Sequence, residues 1–142
     1  MQLSLHSDYA LRILMVLSAR GERLSVDDVA RQYGISRNHL AKVAQELQAQ
    51  GFIATTRGRG GGMELARPAE DIVVGDVVRR FEKLDSFVSC LGAESAGCVV
   101  DGVCGLKPAL ADALEAFLAH LDGYRLVDLT PNRKAFLARL VA

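Results

Sequence analysis

The sequence lacks a long apolar run, an overall charge and a large share of proline. Half of its 142 residues are hydrophobic and only three are proline, so the chain can bury a core and is not disordered. No segment reaches the roughly 18 to 20 uninterrupted apolar residues that a membrane span needs. The best candidate, residues 10–19, contains Arg12, and no Lys or Arg precedes it, which argues against a signal peptide. We therefore expect a cytoplasmic protein with no membrane partner, made of one ordinary domain or two small ones.

Basic residues are in balance with acidic residues over the whole chain, but they are unevenly distributed. Residues 1–67 contain nine basic and six acidic side chains, whereas residues 68–142 contain eight basic and eleven acidic side chains. The first part can therefore favour a polyanion and the second part does not.

Three helices are predicted in the first fifty residues. Apolar residues recur at helical spacing and predict a helix over about residues 8–20, with Ser7 as its cap and Asp8 in its first turn. A second helix follows Ser25, and a turn at residues 34–36 leads into a third helix, which Ser36 is placed to cap. Two helices joined so closely are a common way to pack any small helical core, but they are also the framework of a helix-turn-helix.

The outer face of the third helix favours a helix-turn-helix that reads DNA. This helix contains only one acidic residue, Glu46, whereas a helix face that is merely solvated usually contains several Glu–Lys pairs. Arg, Asn and Gln match base edges in the major groove, and Lys suits phosphate. The residues predicted on this face are Ser36, Arg37, Asn38, His39, Lys42, Gln45 and Gln48.

A glycine-rich hairpin follows the third helix. Two short strands are predicted at residues 52–55 and 63–66, and the tip between them contains Arg57, Arg59 and Gly60. A P-loop is excluded because no Gly-Lys-Ser/Thr follows and no helix begins there. The hairpin is either a plain flexible turn or the wing of a winged helix, with arginines along the minor groove or the phosphates, and we favour the wing. Residues 1–67 are therefore predicted to be a winged helix-turn-helix DNA-binding domain.

The second part, residues 68–142, is predicted to be helical. A short linking helix at about 74–82 is followed by an irregular segment, 83–105, and by a long helix with Pro108 in its first turn. The apolar seam of the long helix, Leu110, Leu114, Phe117 and Leu121, has the alternating spacing of a helix that packs on its symmetry mate. This helix either mediates a homodimer, which we favour, or simply covers the first domain. A last helix is expected at about 132–141, so the predicted fold is mainly α with a small β-hairpin wing and a long dimerisation helix.

The irregular segment 83–105 contains three cysteines, Cys90, Cys98 and Cys104. Structural zinc sites usually have a Cys-x-x-Cys pair, and none is present. Single buried cysteines are common, but three within fifteen residues fit an iron–sulfur cluster, and zinc or thiol redox chemistry remain alternatives. No histidine is close in sequence and no oxyanion or cofactor motif is present, so we do not expect an enzyme.

Several segments resemble the Rrf-type family of winged-helix repressors, over about residues 1–125. The matching segments are Asp8-Tyr9-Ala10-Leu11-Arg12, Ser36-Arg37-Asn38-His39-Leu40, Arg57-Gly58-Arg59-Gly60-Gly61-Gly62, Arg67-Pro68-Ala69, Val74-Gly75-Asp76-Val77-Val78 and the three-cysteine segment. Within the family, residues 36–39 and the cysteine segment are similar to the nitric-oxide-sensing NsrR branch.

This resemblance implies a homodimer that binds operator double-stranded DNA as a repressor and responds to nitric oxide. It implies an iron–sulfur cluster, [4Fe–4S] or alternatively [2Fe–2S], bound by Cys90, Cys98 and Cys104. A fourth ligand is needed, and the resemblance implies Asp8 of the partner subunit, although His6 and His120 are possible donors by chemistry. A regulator of the same fold that senses iron–sulfur status or the thiol or oxygen redox state is the alternative.

Overall fold

A computed structural model describes residues 3–84, 90–92 and 98–140 of the chain. These residues form six α-helices and one antiparallel hairpin, which agrees with the predicted mainly α architecture. The elements are α1 (Leu5–Arg20), α2 (Val26–Tyr33), α3 (Arg37–Ala49), β1 (Ile53–Thr56), β2 (Gly62–Leu65), α4 (Val74–Phe81), α5 (Leu106–Asp122) and α6 (Arg133–Leu140), with short 3-10 helices at Ala69–Asp71 and Leu126–Leu129. In the described ranges, no helix is both long enough and apolar enough to cross a membrane.

Helix α1 begins earlier than the sequence predicts. Its N-cap is Ser4, whose side chain accepts a hydrogen bond from the backbone N–H of Ser7 at 3.2 Å. The prediction of Ser7 as the cap was therefore wrong, because Ser7 lies inside the first turn and is buried. Asp8 lies in the first turn of α1 as predicted, where a carboxylate is favoured by the helix dipole.

Helices α2 and α3 form the predicted helix-turn-helix. The side chains of Ser25 and Asp28 cap α2 reciprocally at its start. Gly34 ends α2 in the left-handed conformation, with a φ of 64°, and Gly21 ends α1 in the same way, with a φ of 68°. Ser36 directly precedes α3, but the prediction that its side chain caps this helix was wrong, because it makes no capping hydrogen bond. The Ser36 hydroxyl is exposed and is not used to hold the helix end.

The hairpin β1–β2 packs beside the helix-turn-helix. Ile53 pairs with Leu65, and Met63 also exchanges two backbone hydrogen bonds with Leu24 in the loop between α1 and α2, at 3.0 and 2.7 Å. Glycine is required at Gly61, because a Cβ atom there would lie 2.2 Å from the Thr56 carbonyl oxygen. The hairpin is therefore attached at its base to the helical domain.

The core is built mainly from one face of each helix. Fully or nearly fully buried members include Ile13, Leu14, Val29, Leu40, Val43, Leu47, Phe52, Ile72, Val77 and Leu126. Burying one large aliphatic side chain contributes about 1.5 to 3 kcal/mol, so this cluster holds α1 to α2, α3 and α4. The linking helix α4 packs as predicted, with Val74, Val77, Val78 and Phe81 buried.

Helix α5 begins at Leu106, so Pro108 lies in its first turn as predicted, and the helix packs against α4. Leu118 is the buried residue of α5. The predicted seam residues, Leu110, Leu114, Phe117 and Leu121, are only half-buried. One side of α5 thus remains partly open to solvent in the single chain.

Candidate functional site

The outer face of α3 is exposed and contains few interactions that would compete with a ligand. Every side chain predicted on this face is exposed: Ser36, Arg37, Asn38, His39, Lys42, Gln45 and Gln48. The only acidic residue of the helix, Glu46, is half-buried, and its Oε2 lies 2.6 Å from Nε2 of His6 in α1. The face that α3 presents to solvent is therefore free of unpaired acid.

Two contacts attach this face to its neighbours. Arg37 Nε donates to Asp27 Oδ1 at 2.7 Å, between exposed side chains of α3 and α2. Such a pair contributes about 0 to 1 kcal/mol, so Arg37 can exchange Asp27 for a phosphate at small cost. Thr55 Oγ1 donates to Gln48 Oε1 at 2.7 Å, which joins β1 to α3.

The hairpin tip presents two arginines. Arg57, Arg59 and Gly60 are exposed, and Gly60 has a φ of 77°, a conformation that glycine adopts without strain. Neither arginine forms an ion pair with any residue that the structure describes. The charges of the tip are thus available to an anionic partner such as a DNA backbone.

The three cysteines are free thiols. Cys90 and Cys104 are half-buried and Cys98 is exposed. Residues 85–89 and 93–97 of the predicted segment 83–105 lie outside the described residues. In the ranges that are described, no group of three or more His, Cys, Asp or Glu side chains is placed to hold a metal ion.

Lys107 lies in the first turn of α5 and is paired with an acid. Its Nζ donates to Asp101 Oδ1 at 2.9 Å, and this bond raises the pKa of Lys107, with smaller contributions from Cys90 and Cys98. Three unpaired thiols near the start of α5 are suitable donors for an iron–sulfur group, because such clusters are held by thiolates. The donor chemistry therefore fits a cluster, whereas the described part of a single chain does not by itself gather the ligands.

Asp8 is occupied within its own chain. Arg12 Nε donates to Asp8 Oδ2 at 2.8 Å, and the Arg12 guanidinium lies 5.5 Å from the ring centre of Tyr33 in α2. The Tyr33 hydroxyl donates to the Arg12 carbonyl oxygen at 3.3 Å, and burial raises the pKa of Tyr33 to about 12. Asp8 is thus connected through Arg12 to α2, the helix that precedes α3.

The two histidines that could donate to a metal also have neighbours. His6 is paired with Glu46, as described above, and its ring stacks on Phe81 at 5.6 Å. The His120 ring packs edge-on against Tyr124, with the ring centres 5.4 Å apart.

Sequence reasoning missed a polar cluster at the start of α1. Glu82, at the end of α4, accepts hydrogen bonds from Ser4 and Ser7. Although burial raises the pKa of Glu82, the bonds from Ser7 and Ser4 outweigh it and hold that pKa below its ordinary value. No local pattern could have indicated this cluster, because Glu82 is at least 75 residues from both serines.

Comparisons with known proteins agree with this architecture. The Rrf2 family, described as an iron-dependent transcriptional regulator, matches residues 3–132. The chain is 44% identical over 142 residues to the HTH-type transcriptional regulator NsrR of Bacillus subtilis, covering 99% of this chain and 97% of that protein. It is 40% identical to NsrR of Bacillus licheniformis, covering 94% of each chain.

Solved structures show the same fold. CymR, the global cysteine regulator of B. subtilis, superposes with a TM-score of 0.72 at 24% identity, covering 92% of this chain and 97% of that one. IscR of T. potens superposes with a TM-score of 0.75 at 22% identity, covering 95% and 90% respectively.

Proposed function

The chain belongs to the Rrf2 family of transcriptional regulators, and we propose that it is a repressor that senses nitric oxide through an iron–sulfur cluster. Membership in this family agrees with the prediction that the chain is not an enzyme. The observation that supports the sensor most directly is the presence of three free thiols in a fifteen-residue stretch that ends at α5. The exposed face of α3 supports the DNA-binding half of the proposal.

In this proposal α3 enters the major groove of operator DNA. Arg37 and Asn38 lie at the N-terminal end of α3, which is the end that contacts base edges in helix-turn-helix complexes. Ser36 and Lys42 are placed for phosphates, and His39 lies between them on the exposed face. The tip arginines of the hairpin, with Gly60 between the strands, extend the contact along the backbone or the minor groove.

The repressor acts as a homodimer in this proposal. The half-buried seam of α5 leaves apolar side chains partly open to solvent in one chain, and a second copy would bury them. Symmetric pairing also matches the paired half-sites that helix-turn-helix proteins bind.

Cys90, Cys98 and Cys104 would hold the cluster, and Asp8 of the partner subunit would complete its ligand set. A cluster bound there, [4Fe–4S] or alternatively [2Fe–2S], supplies iron that reacts with nitric oxide. A carboxylate is a hard ligand among soft thiolates, so Asp8 is the ligand that exchanges most easily. In the single chain Asp8 is paired with Arg12, so this pair would be available to an Asp8 that does not bind the cluster. Arg12 also contacts Tyr33, so a change of partner at Asp8 would alter a contact with the helix-turn-helix.

A second candidate is a regulator of the same fold that responds to iron–sulfur status or to thiol oxidation. The exposure of Cys98 favours it, because a solvent-accessible thiol can be oxidised directly. Operator binding that follows peroxide or cluster supply and ignores nitric oxide would distinguish this candidate.

Native mass spectrometry of protein purified without oxygen tests the proposal. We expect a dimer with an iron–sulfur cluster on each chain, and we expect nitric oxide to remove the intact cluster and to change operator affinity in the same titration. A dimer with zinc, or one with intact thiols that does not take up iron and sulfide on reconstitution, would overturn the sensor and leave the DNA-binding half standing.

A further inference from the structure

The first turn of α1 is held by one carboxylate from a distant element. Glu82 follows the last residue of α4, and its Oε2 accepts from the Ser4 backbone N–H at 3.1 Å and from the Ser4 hydroxyl at 3.0 Å. The Ser7 hydroxyl donates to the same oxygen, and Ser7 is 1% exposed. Hydrogen bonds to an ionised carboxylate are roughly twice as strong as neutral ones, so this cluster fixes where α1 begins.

The same turn of α1 is also attached to α3. His6, between Ser4 and Ser7, contacts Glu46 of α3 through the 2.6 Å pair, and its ring stacks on Phe81 of α4. Phe81 is the residue before Glu82, so the two attachments meet at the end of α4. The first turn of α1 therefore connects the end of α4 to α3.

The space around these side chains allows the turn to shift. An open cavity of about 560 Å³ lies beside Ser4, His6, Glu46 and Glu82. Closely packed interiors resist displacement, whereas a turn that borders open space can move without creating an overlap.

We propose that Glu82 is a positioning residue that transmits the state of the cysteine segment to α3. Glu82 directly precedes residues 83–105, so a displacement of that segment moves the carboxylate, and the serines of α1 follow it. His6 then shifts against Glu46, which changes the orientation of α3. The role of the segment as a sensor rests on the proposed function, but the hold of Glu82 on α1 does not.

Amide hydrogen exchange of cluster-free protein tests that hold. We expect Glu82→Gln and Ser7→Ala each to accelerate exchange of amides in residues 7–9 by about threefold or more, because local opening becomes easier. Glu70→Gln is the control, since it removes the same charge from an exposed position. Unchanged exchange in both test variants would overturn the positioning role.

The second measurement is the ratio of operator affinities of cluster-loaded and cluster-free protein. A structural defect would weaken both forms equally, whereas a positioning role changes the ratio. We expect Glu82→Gln and Glu46→Gln each to reduce this affinity ratio by about threefold or more. In the double variant the ratio should fall by less than the product of the two single effects, because both residues belong to one connection. Glu70→Gln should leave the ratio unchanged.

The two arms separate failure of this inference from failure of the proposed function. A ratio that Glu82→Gln leaves unchanged, or effects that multiply independently, would overturn the transmission through Glu82. If the unmodified protein binds no cluster, the sensor proposal and the transmission both fail, and the exchange measurement alone decides whether Glu82 positions α1.

Discussion

Arg12 Nε and Asp8 Oδ2 lie 2.8 Å apart, one turn from each other on α1. Both side chains are partly exposed, at 43% and 37%, and an i,i+4 pair of this kind stabilises a helix by about 0.2 to 0.5 kcal/mol. Such a small energy means that Asp8 can leave Arg12 for a metal without destabilising the fold. The pair is therefore compatible with a ligand that exchanges.

Asp8→Ala should give a folded protein whose operator binding responds weakly or not at all to nitric oxide. The substitution removes a weak surface pair and a carboxylate that the helix dipole favours, about 1 kcal/mol together, so the thermal midpoint should fall by only a few degrees. Asp71→Ala, at another exposed acid, is the control. Operator binding would be followed by fluorescence anisotropy during a nitric oxide titration, and a normal response of Asp8→Ala would remove Asp8 from the mechanism.

Cys98→Ala should abolish stable cluster binding while leaving the fold intact. Cys98 is exposed, so its removal creates no cavity and should change stability by less than about 0.5 kcal/mol. Val99→Ala, at the next and fully exposed position, is the matched control. Iron and sulfide per chain would be measured after anaerobic reconstitution, and full loading of Cys98→Ala would exclude this thiol as a ligand.

Arg57→Ala and Arg59→Ala should each weaken operator binding and make it less dependent on salt. If each arginine contacts one phosphate, the slope of log affinity against log salt should fall by about one for each substitution. Arg139→Ala, at an exposed position of α6, removes the same charge away from the hairpin. Equal salt slopes for the two hairpin variants and the control would contradict a role of the wing in phosphate contact.

Ser25→Ala should destabilise the protein by about 1 kcal/mol at pH 7, because it removes the cap of α2. The Ser25 hydroxyl and backbone N–H hold the pKa of Asp28 below its ordinary value. A carboxylate whose pKa is lowered on folding stabilises the protein at pH values above its unfolded-state pKa, which is about 3.9 for Asp. This stabilisation is lost as the pH falls through the pKa that Asp28 has in the folded state.

Loss of stability as the pH falls below about 4 should therefore be smaller in Ser25→Ala than in the unmodified protein. Urea unfolding at each pH measures it, with Ser18→Ala as a control for the loss of a helical serine. Identical pH dependence in all three proteins would contradict the proposed effect of Ser25 on Asp28.

Leu114→Glu should convert the proposed dimer into a folded monomer. A charge in the centre of the α5 seam would be buried without a partner in a symmetric interface, whereas in a single chain it remains in contact with water. Ala119→Glu places the same charge on the opposite, exposed side of α5. Sedimentation equilibrium measures the mass, and a dimeric Leu114→Glu protein would place the interface elsewhere.

Local chemistry predicted most of the fold. The start of α2 after Ser25, the turn at Gly34 and the apolar face of α4 are each set by residues within one or two turns, and the structure contains all three. The start of α1 was misplaced because both Ser4 and Ser7 are suitable caps by local criteria. In the structure Ser4 accepts from the Ser7 backbone N–H, and both serines also donate to Glu82, which is at least 75 positions away and so is not part of any local pattern.

The site was predictable only in its parts. Exposure of the polar face of α3 follows from helical periodicity, so Arg37 and Lys42 were placed correctly on the solvent side. The pairing of Glu46 with His6 depends on how α1 crosses α3, which periodicity does not determine. The ligands assigned to the cluster come from sequence resemblance, and their arrangement stays a prediction.

The attachment of the hairpin limits how this protein can be regulated. Met63 is hydrogen-bonded to Leu24 in the loop before α2, and Thr55 donates to Gln48 of α3, so the hairpin is attached to the helix-turn-helix at two points. In the proposed complex with DNA, these contacts would hold the offset between the bases that α3 reads and the backbone that the hairpin contacts. In the proposed dimer, control would act instead on the distance between the two helix-turn-helix units. A change of about 3.4 Å in that distance along the DNA axis corresponds to one base pair. Such control would show itself in operators that differ in half-site spacing. Binding would be lost on the original operator and recovered on one whose half-site spacing is a base pair longer or shorter.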